Sequence, residues 1–196
     1  LEFTSMEKTA DDVTLAKWII RTVAREMGIF ATFMPKPMNK VSGSGMHVHQ
    51  SLFDFDGNNA FYDPEDPQGY HLSKVAKHYV AGLLKYAPEF CVVTNQYVNS
   101  YKRLISGGEA PTYLSWASSN RSTLVRIPGY RPNREDACRI ELRSPDPAAN
   151  PYLAFAVMLA AGLKGIEDEL ELQPPTEDRD LFSLPRQDLR RQGFQT

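Results

Sequence analysis

Residues 137–143, Ala137-Cys138-Arg139-Ile140-Glu141-Leu142-Arg143, read as a β-strand that turns Arg139, Glu141 and Arg143 to one face. Three ionisable side chains in a row are too polar for a core face. They must meet solvent, a ligand or one another. The bland alternative is a ladder of surface ion pairs worth about 0–1 kcal/mol each. Upstream, Pro111 to Trp116 and Arg121 to Ile127 read as two more strands. Arg121 and Arg126 stand five apart and face opposite ways unless a bulge intervenes. Further back lie a short basic turn at Lys102 and Arg103 and a Gly107-Gly108 pair. Glu109 follows the glycines, either as a loop surface carboxylate or as the ionisable group of a mobile flap.

Nearer the N-terminus, Thr9 to Gly28 reads as a helix, capped at Thr9 and ended by glycine, and Ile29 to Met34 as a strand. Residues 40–45 form a glycine-containing loop. Met46 to Phe53 then alternates as a half-buried strand, with His47, His49 and Ser51 on one face and Val48 and Leu52 on the other. The histidine pair suits a metal, but hydrogen-bonded or exposed histidines have the same spacing. Gly43-Ser44-Gly45 precedes a strand, so a tight hairpin turn explains it better than a phosphate cradle. Asp54 to Gly69 reads as an exposed loop and Leu72 to Tyr86 as a helix. Asn150-Pro151 starts a buried helix through Leu163, and the last thirty residues read as a surface excursion.

The 196 residues, 42% of them hydrophobic, suffice for one large domain or two small ones and exclude disorder. The net charge of −2 lacks the basicity of a non-specific nucleic-acid binder. It hides an uneven distribution. Residues 101–143 carry eight basic side chains, seven of them arginine, against four acidic ones, a local +4. Arginine forks suit carboxylate and phosphate oxygens. Two cysteines make no disulfide framework, and no run of about 18 apolar residues appears, so the expectation is a soluble, cytoplasmic protein without a membrane partner. Histidines and a carboxylate for a divalent cation, arginines for phosphate and a glycine-hinged glutamate together are the parts of an ATP-using ligase that works through an acyl phosphate.

Several stretches are similar to the catalytic domain of bacterial-type glutamine synthetase, in order from about Thr9 to Asp168: Phe33-Met34-Pro35-Lys36-Pro37, Gly43 to Leu52, Asn99 to Leu104, Glu109-Ala110-Pro111, Asn120-Arg121-Ser122 and Arg139 to Tyr152. The resemblance implies an α+β fold in which an antiparallel sheet carries the active site and helices pack outside it. It implies that ATP phosphorylates the γ-carboxylate of glutamate and that ammonia displaces the phosphate to give glutamine. By motif, His47 and Glu141 would ligate Mg²⁺ or Mn²⁺, and His49, Gln50 and Ser51 would lie beside ATP. Arg103 and Arg143 would hold glutamate, with Ser42 and Gly43 beside it. Arg121 and Arg126, with Arg134 near them, would neutralise the phosphate. Glu109 would be the flap acid that closes over glutamyl phosphate and takes a proton.

Some positions depart from the family pattern. Ser42 stands where an asparagine touching glutamate is usual, and Ser106 and Gly108 replace a proline and an aromatic residue before the flap acid, which predicts a looser flap. Phe182 stands where some members carry a tyrosine that is adenylylated, so that control is expected to be absent. The resemblance makes residues 1–196 one part of the catalytic domain, with the N-terminal domain, the first metal-ligand strands and the C-terminal helices outside it. It also implies a homo-oligomeric parent, a double-ring dodecamer, whose partners are glutamate, ammonium and ATP. The alternatives are a γ-glutamyl-amine ligase and a non-catalytic regulatory relative.

Overall fold

The computed structural model describes residues 3–105, 109–177, 181 and 187–188. The first helix, α1, spans Met6–Glu26. Its cap is Ser5, whose hydroxyl accepts from the Lys8 amide, so the helix starts a turn earlier than Thr9 and encloses that residue. Gly28, at φ +71°, supplies the left-handed exit, with the Ile29 amide donating back to Ala24 O. The strand expected over 29–34 does not form. Ile29 is 59% exposed and Phe30 90%, and β-branched composition makes no strand without a neighbour to pair with.

Strand β1 covers Val48–Gln50. The 54–69 stretch is a turn-rich loop as expected, but it is not wholly exposed: Phe61 and Asp66 are buried, and Asp66 accepts from the amides of Gln68, Tyr70 and Leu72 and from Lys77 Nζ. Helix α2 runs from Lys74 to Thr94, past the expected end at Tyr86 and through Pro88. A short helix, α3, covers Val98–Arg103; β2 is Trp116–Ala117, β3 Val125–Arg126, β4 Ile140–Leu142 and α4 Pro151–Glu167. The Asn150 side chain accepts from the Tyr152 and Leu153 amides, the cap-then-proline start read from the sequence.

The strands lie in the order β1-β4-β3-β2. β4 pairs antiparallel with both β1 and β3, but β2 and β3 are parallel, so the sheet is mixed rather than antiparallel throughout. The cause is the connection. Asn120 binds Ser122 through its side chain and Thr123 through its carbonyl, coiling the chain back to the start of β2 instead of making a hairpin.

Helices α2 and α4 pack on one another at glycines. A Cβ on Gly82 would lie 2.8 Å from Gly165 Cα, and one on Gly165 would lie 2.7 Å from Gly82 Cα. Tyr79, Leu83, Phe155 and Met158 from these helices share one core with Trp116, Ile140 and Leu142 of the sheet. Residues 173–177, expected as a surface excursion, instead bind alongside β2: Trp116 Nε1 donates to Gln173 O at 2.6 Å and the Thr176 amide to Trp116 O at 2.8 Å. Ser106, Gly108 and Phe182 lie outside the described residues.

Candidate active site

The register of three strands builds the site. His49 of β1 and Arg126 of β3 both stand opposite Glu141 of β4, giving a row His49, Glu141, Arg126 on one face. Glu141 is 3% exposed. His47 Nδ1 lies 3.0 Å from its Oε1, Arg143 Nη1 donates to Oε1 at 3.1 Å, and Arg126 Nη1 donates to Oε2 at 3.0 Å. Burial pushes the Glu141 carboxyl up. The His47 hydrogen bond, the Arg143 charge and the Arg126 hydrogen bond outweigh it and hold the group at about 2. Of the charged face predicted for 139–143, Glu141 and Arg143 thus meet one another around a buried carboxylate rather than in a surface ladder. The Nε–H groups of Arg126 and Arg143 are buried and find no acceptor among the described residues. Two cationic donors in that state suit an oxyanion.

Two donors bound to Mg²⁺ at about 2.1 Å and at a right angle stand about 3.0 Å apart. The His47 and Glu141 pair has that spacing. The donor types and their separation fit one edge of a divalent-cation shell, but no third His, Cys, Asp or Glu joins them among the described residues. With two arginines on the same carboxylate, a cation there needs further anionic oxygens.

Arg139, placed by the alternation on the same face but given no role, is the residue that sequence reasoning missed. Its Nε donates to His49 Nδ1 at 3.1 Å, which puts the neutral ring's proton on Nε2. Burial, then the Arg139 charge, lowers the His49 pKa against the pull of Glu141. The two-residue step back from Glu141 was the available signal. A cavity of about 880 Å³ opens beside β1, lined by His47, His49, Ser51 and Arg139 and, on its apolar side, by Phe3 and Phe155. A second space of about 380 Å³, lined by Tyr130, Arg131 and Arg134, shares Arg139 with the first.

The other predicted residues are placed unevenly. Arg103 is 7% exposed and donates to Ser144 O at 2.6 Å and Arg143 O at 3.1 Å, under the loop of Gly43 and Gly45. A Cβ on Gly43 would lie 2.5 Å from Pro35 O, so that glycine is needed for the close backbone approach, and one on Gly45 would lie 2.6 Å from Arg103 Nη2 and push the guanidinium aside. Ser42 is exposed beside them. Gln50 also lines the first cavity, and Tyr79 OH donates to its Oε1 at 2.6 Å. Ser51 Oγ donates to Cys138 O. Arg121 is exposed on the turn before β3, near enough for its charge to press on Arg143. Arg134 is an exposed partner of Asp136, and Glu109 is exposed.

Residues 1–195 match the family model for the catalytic domain of glutamine synthetase. The chain is 49% identical over 194 residues to glutamine synthetase of Mycolicibacterium smegmatis, covering 99% of this chain and 43% of the relative. It is 54% identical over 171 residues to that of Thermotoga maritima, covering 87% of this chain and 38% of the relative. Among solved structures it superposes on Plasmodium falciparum glutamine synthetase with a TM-score of 0.86 at 33% identity, over 92% of this chain and 34% of that one. It also superposes on GmaS without ligand, with a TM-score of 0.81 at 37% identity, over 92% of this chain and 40% of that one. The chain thus spans about two fifths of the length of the curated relatives. The chain belongs to the glutamine synthetase family, and what it matches there is the catalytic domain.

Proposed function

We propose that this chain is part of the catalytic domain of a glutamate–ammonia ligase, which couples ATP cleavage to glutamine formation through γ-glutamyl phosphate. The observation that carries this reading is the buried Glu141, bound by His47, Arg126 and Arg143 while the two arginines keep donors to spare. That arrangement suits a reaction in which charge moves between carboxylate and phosphate oxygens.

His47 and Glu141 would hold Mg²⁺ or Mn²⁺, with further carboxylates from elsewhere in the parent protein; the ion would screen the ATP phosphates. ATP would occupy the cavity beside β1, against His49, Ser51 and Arg139. Arg126, Arg121 and Arg143 supply fixed positive charge where the γ-phosphoryl group passes to glutamate, and fixed charge costs no reorganisation during transfer. Arg103 and Gly43 hold the 143–145 backbone and the loop beside it, giving the substrate carboxylates a rigid floor. Glu109, at the surface, would close over the acyl phosphate, exclude water and take the ammonium proton. We place the protein in the cytoplasm; no helix among the described residues is long and apolar enough to cross a membrane. The parent assembles as a double-ring homo-oligomer.

The test is ATP- and ammonium-dependent glutamine release by the full-length protein, with methylamine and ethanolamine as competing acceptors. Glu109→Ala should lower kcat about 10²–10⁴-fold. Preference for an organic amine would transfer the site to a γ-glutamyl-amine ligase, and an unchanged rate in Glu109→Ala would remove the flap acid. The 196-residue chain by itself should form no glutamine, since two donors leave the cation weakly held.

A further inference from the structure

Beyond the bonds of Gln173 and Thr176 to Leu114 and Trp116, residues 176–177 and Leu181 make a set of contacts that the reaction scheme does not use, directed at one short turn. The Glu177 carboxylate accepts from the Ser118 amide at 2.5 Å and from the Ser119 amide and hydroxyl at 3.1 and 2.9 Å. Asn120 Nδ2 donates to Thr176 O at 2.7 Å. On the other side of Arg121, the Leu181 amide donates to Ser122 Oγ at 3.0 Å, and Leu181 is 1% exposed. Asn120 and Ser122 are themselves joined, since Asn120 Oδ1 accepts from the Ser122 amide and hydroxyl at 2.9 and 2.6 Å. The backbone of Arg121 is therefore flanked by two anchors, although its side chain is exposed.

We infer that residues 173–177 with Leu181 form a strap that positions Arg121 for phosphoryl transfer, with Glu177 as its principal positioning residue; this rests on the function proposed above. The 118–122 turn joins two parallel strands of two residues each, so β2 and β3 bring little ladder of their own to fix it. An arginine that neutralises a migrating phosphoryl group must keep its place within a fraction of an ångström, and a misplacement of 1 Å can cost about 10²-fold in rate. Glu177 is suited to the task. Burial raises its pKa, but the Ser118 and Ser119 hydrogen bonds hold it below the usual carboxylate range, so it is ionised at neutral pH and its bonds are charge-assisted. The described strap residues follow α4 in sequence, so a change at Glu177 or Leu181 can alter turnover without touching any substrate group.

The experiment compares full-length wild type, Glu177→Ala and Glu177→Gln by amide hydrogen exchange and steady-state kinetics. Exchange in 117–123 should quicken about tenfold in Glu177→Ala, with α2 unchanged as the internal reference. The kcat should fall about tenfold with the glutamate KM within about twofold, and Glu177→Gln, which keeps one acceptor oxygen but turns an N–H group toward the other amide, should recover only part of it. Unchanged exchange in 117–123 overturns the strap whatever the enzyme's activity. Faster exchange with an unchanged kcat overturns its role in positioning Arg121. A wild type without ATP-dependent ligation removes the proposed function, while the exchange result still decides the strap. Should Glu177→Ala not fold, Glu177→Asp keeps the charge but shortens the reach, and the same shifts, smaller in size, are expected.

Discussion

The crossing of α2 with α4 is buried and the sheet face is closed only at Glu141, and the two are built from opposite materials. At the crossing, Gly82, Gly162 and Gly165 let two apolar helices close to backbone contact, with Tyr79, Leu83 and Met158 around them. Stability there comes from area and fit, and many apolar combinations would serve. On the sheet face, one carboxylate answers two guanidinium groups and an imidazole. Removing a partner leaves the rest uncompensated. The helices tolerate change as long as volume is kept, the charged row tolerates far less, and the proposed chemistry sits on the less tolerant side.

The strongest way to break this contrast is Glu141→Ala. It leaves the half-buried Arg126 and Arg143 without their counter-charge and should cost about 3 kcal/mol of stability as well as activity. A loss below about 1 kcal/mol in urea unfolding would return the row to an ordinary surface ladder. Gly82→Val acts on the other region. Its side chain would meet the backbone of Ala161 and Gly165, for a cost of about 1–3 kcal/mol, while turnover per folded molecule stays unchanged. Asp66→Asn, in the loop before α2, should cost about 1–3 kcal/mol in thermal or denaturant unfolding. Burial raises the Asp66 pKa, but Lys77 and the Leu72 and Gln68 amides hold it below its ordinary value of 3.8. Its contribution is therefore complete above 3.8 and disappears as the pH falls through the lower folded value. The Asn variant should flatten that part of the stability–pH curve. The smallest effect sharpens the edge of the charged region: Arg139→Ala should raise the ATP KM about tenfold and Arg134→Ala less than about threefold, because only Arg139 holds His49.

What could be read from sequence followed the strength of local periodicity. The alternation through His47 and His49 and through Arg139, Glu141 and Arg143 settled which side chains share a face, and the register then put the two faces together. Asn150-Pro151 marked the start of α4 because the cap and the proline act within one turn. The failures were tertiary. Ile29 and Phe30 had the composition of a strand and no neighbour, and α2 ran on past Tyr86 to Thr94, packed against α4. The polar tail acquired its partners in β2, about sixty residues earlier, where no local pattern points. Arg139 was visible in the alternation, but its role depended on His49, which stands 90 residues away.

That last separation has a consequence for how the molecule forms. β1 and β4 are three residues each and meet across a sequence separation of 90 residues at Arg139 and His49, so their ladder repays loop closure poorly and should be among the last structure to set. α2 can form locally and then dock α4, giving the apolar scaffold first. In pulse-labelled refolding, amides of α2 should gain protection before those of 48–50; the reverse order would show that the charged row nucleates the fold. Late closure also means that Glu141 and its arginines stay hydrated through collapse and lose water only once their partners are at hand.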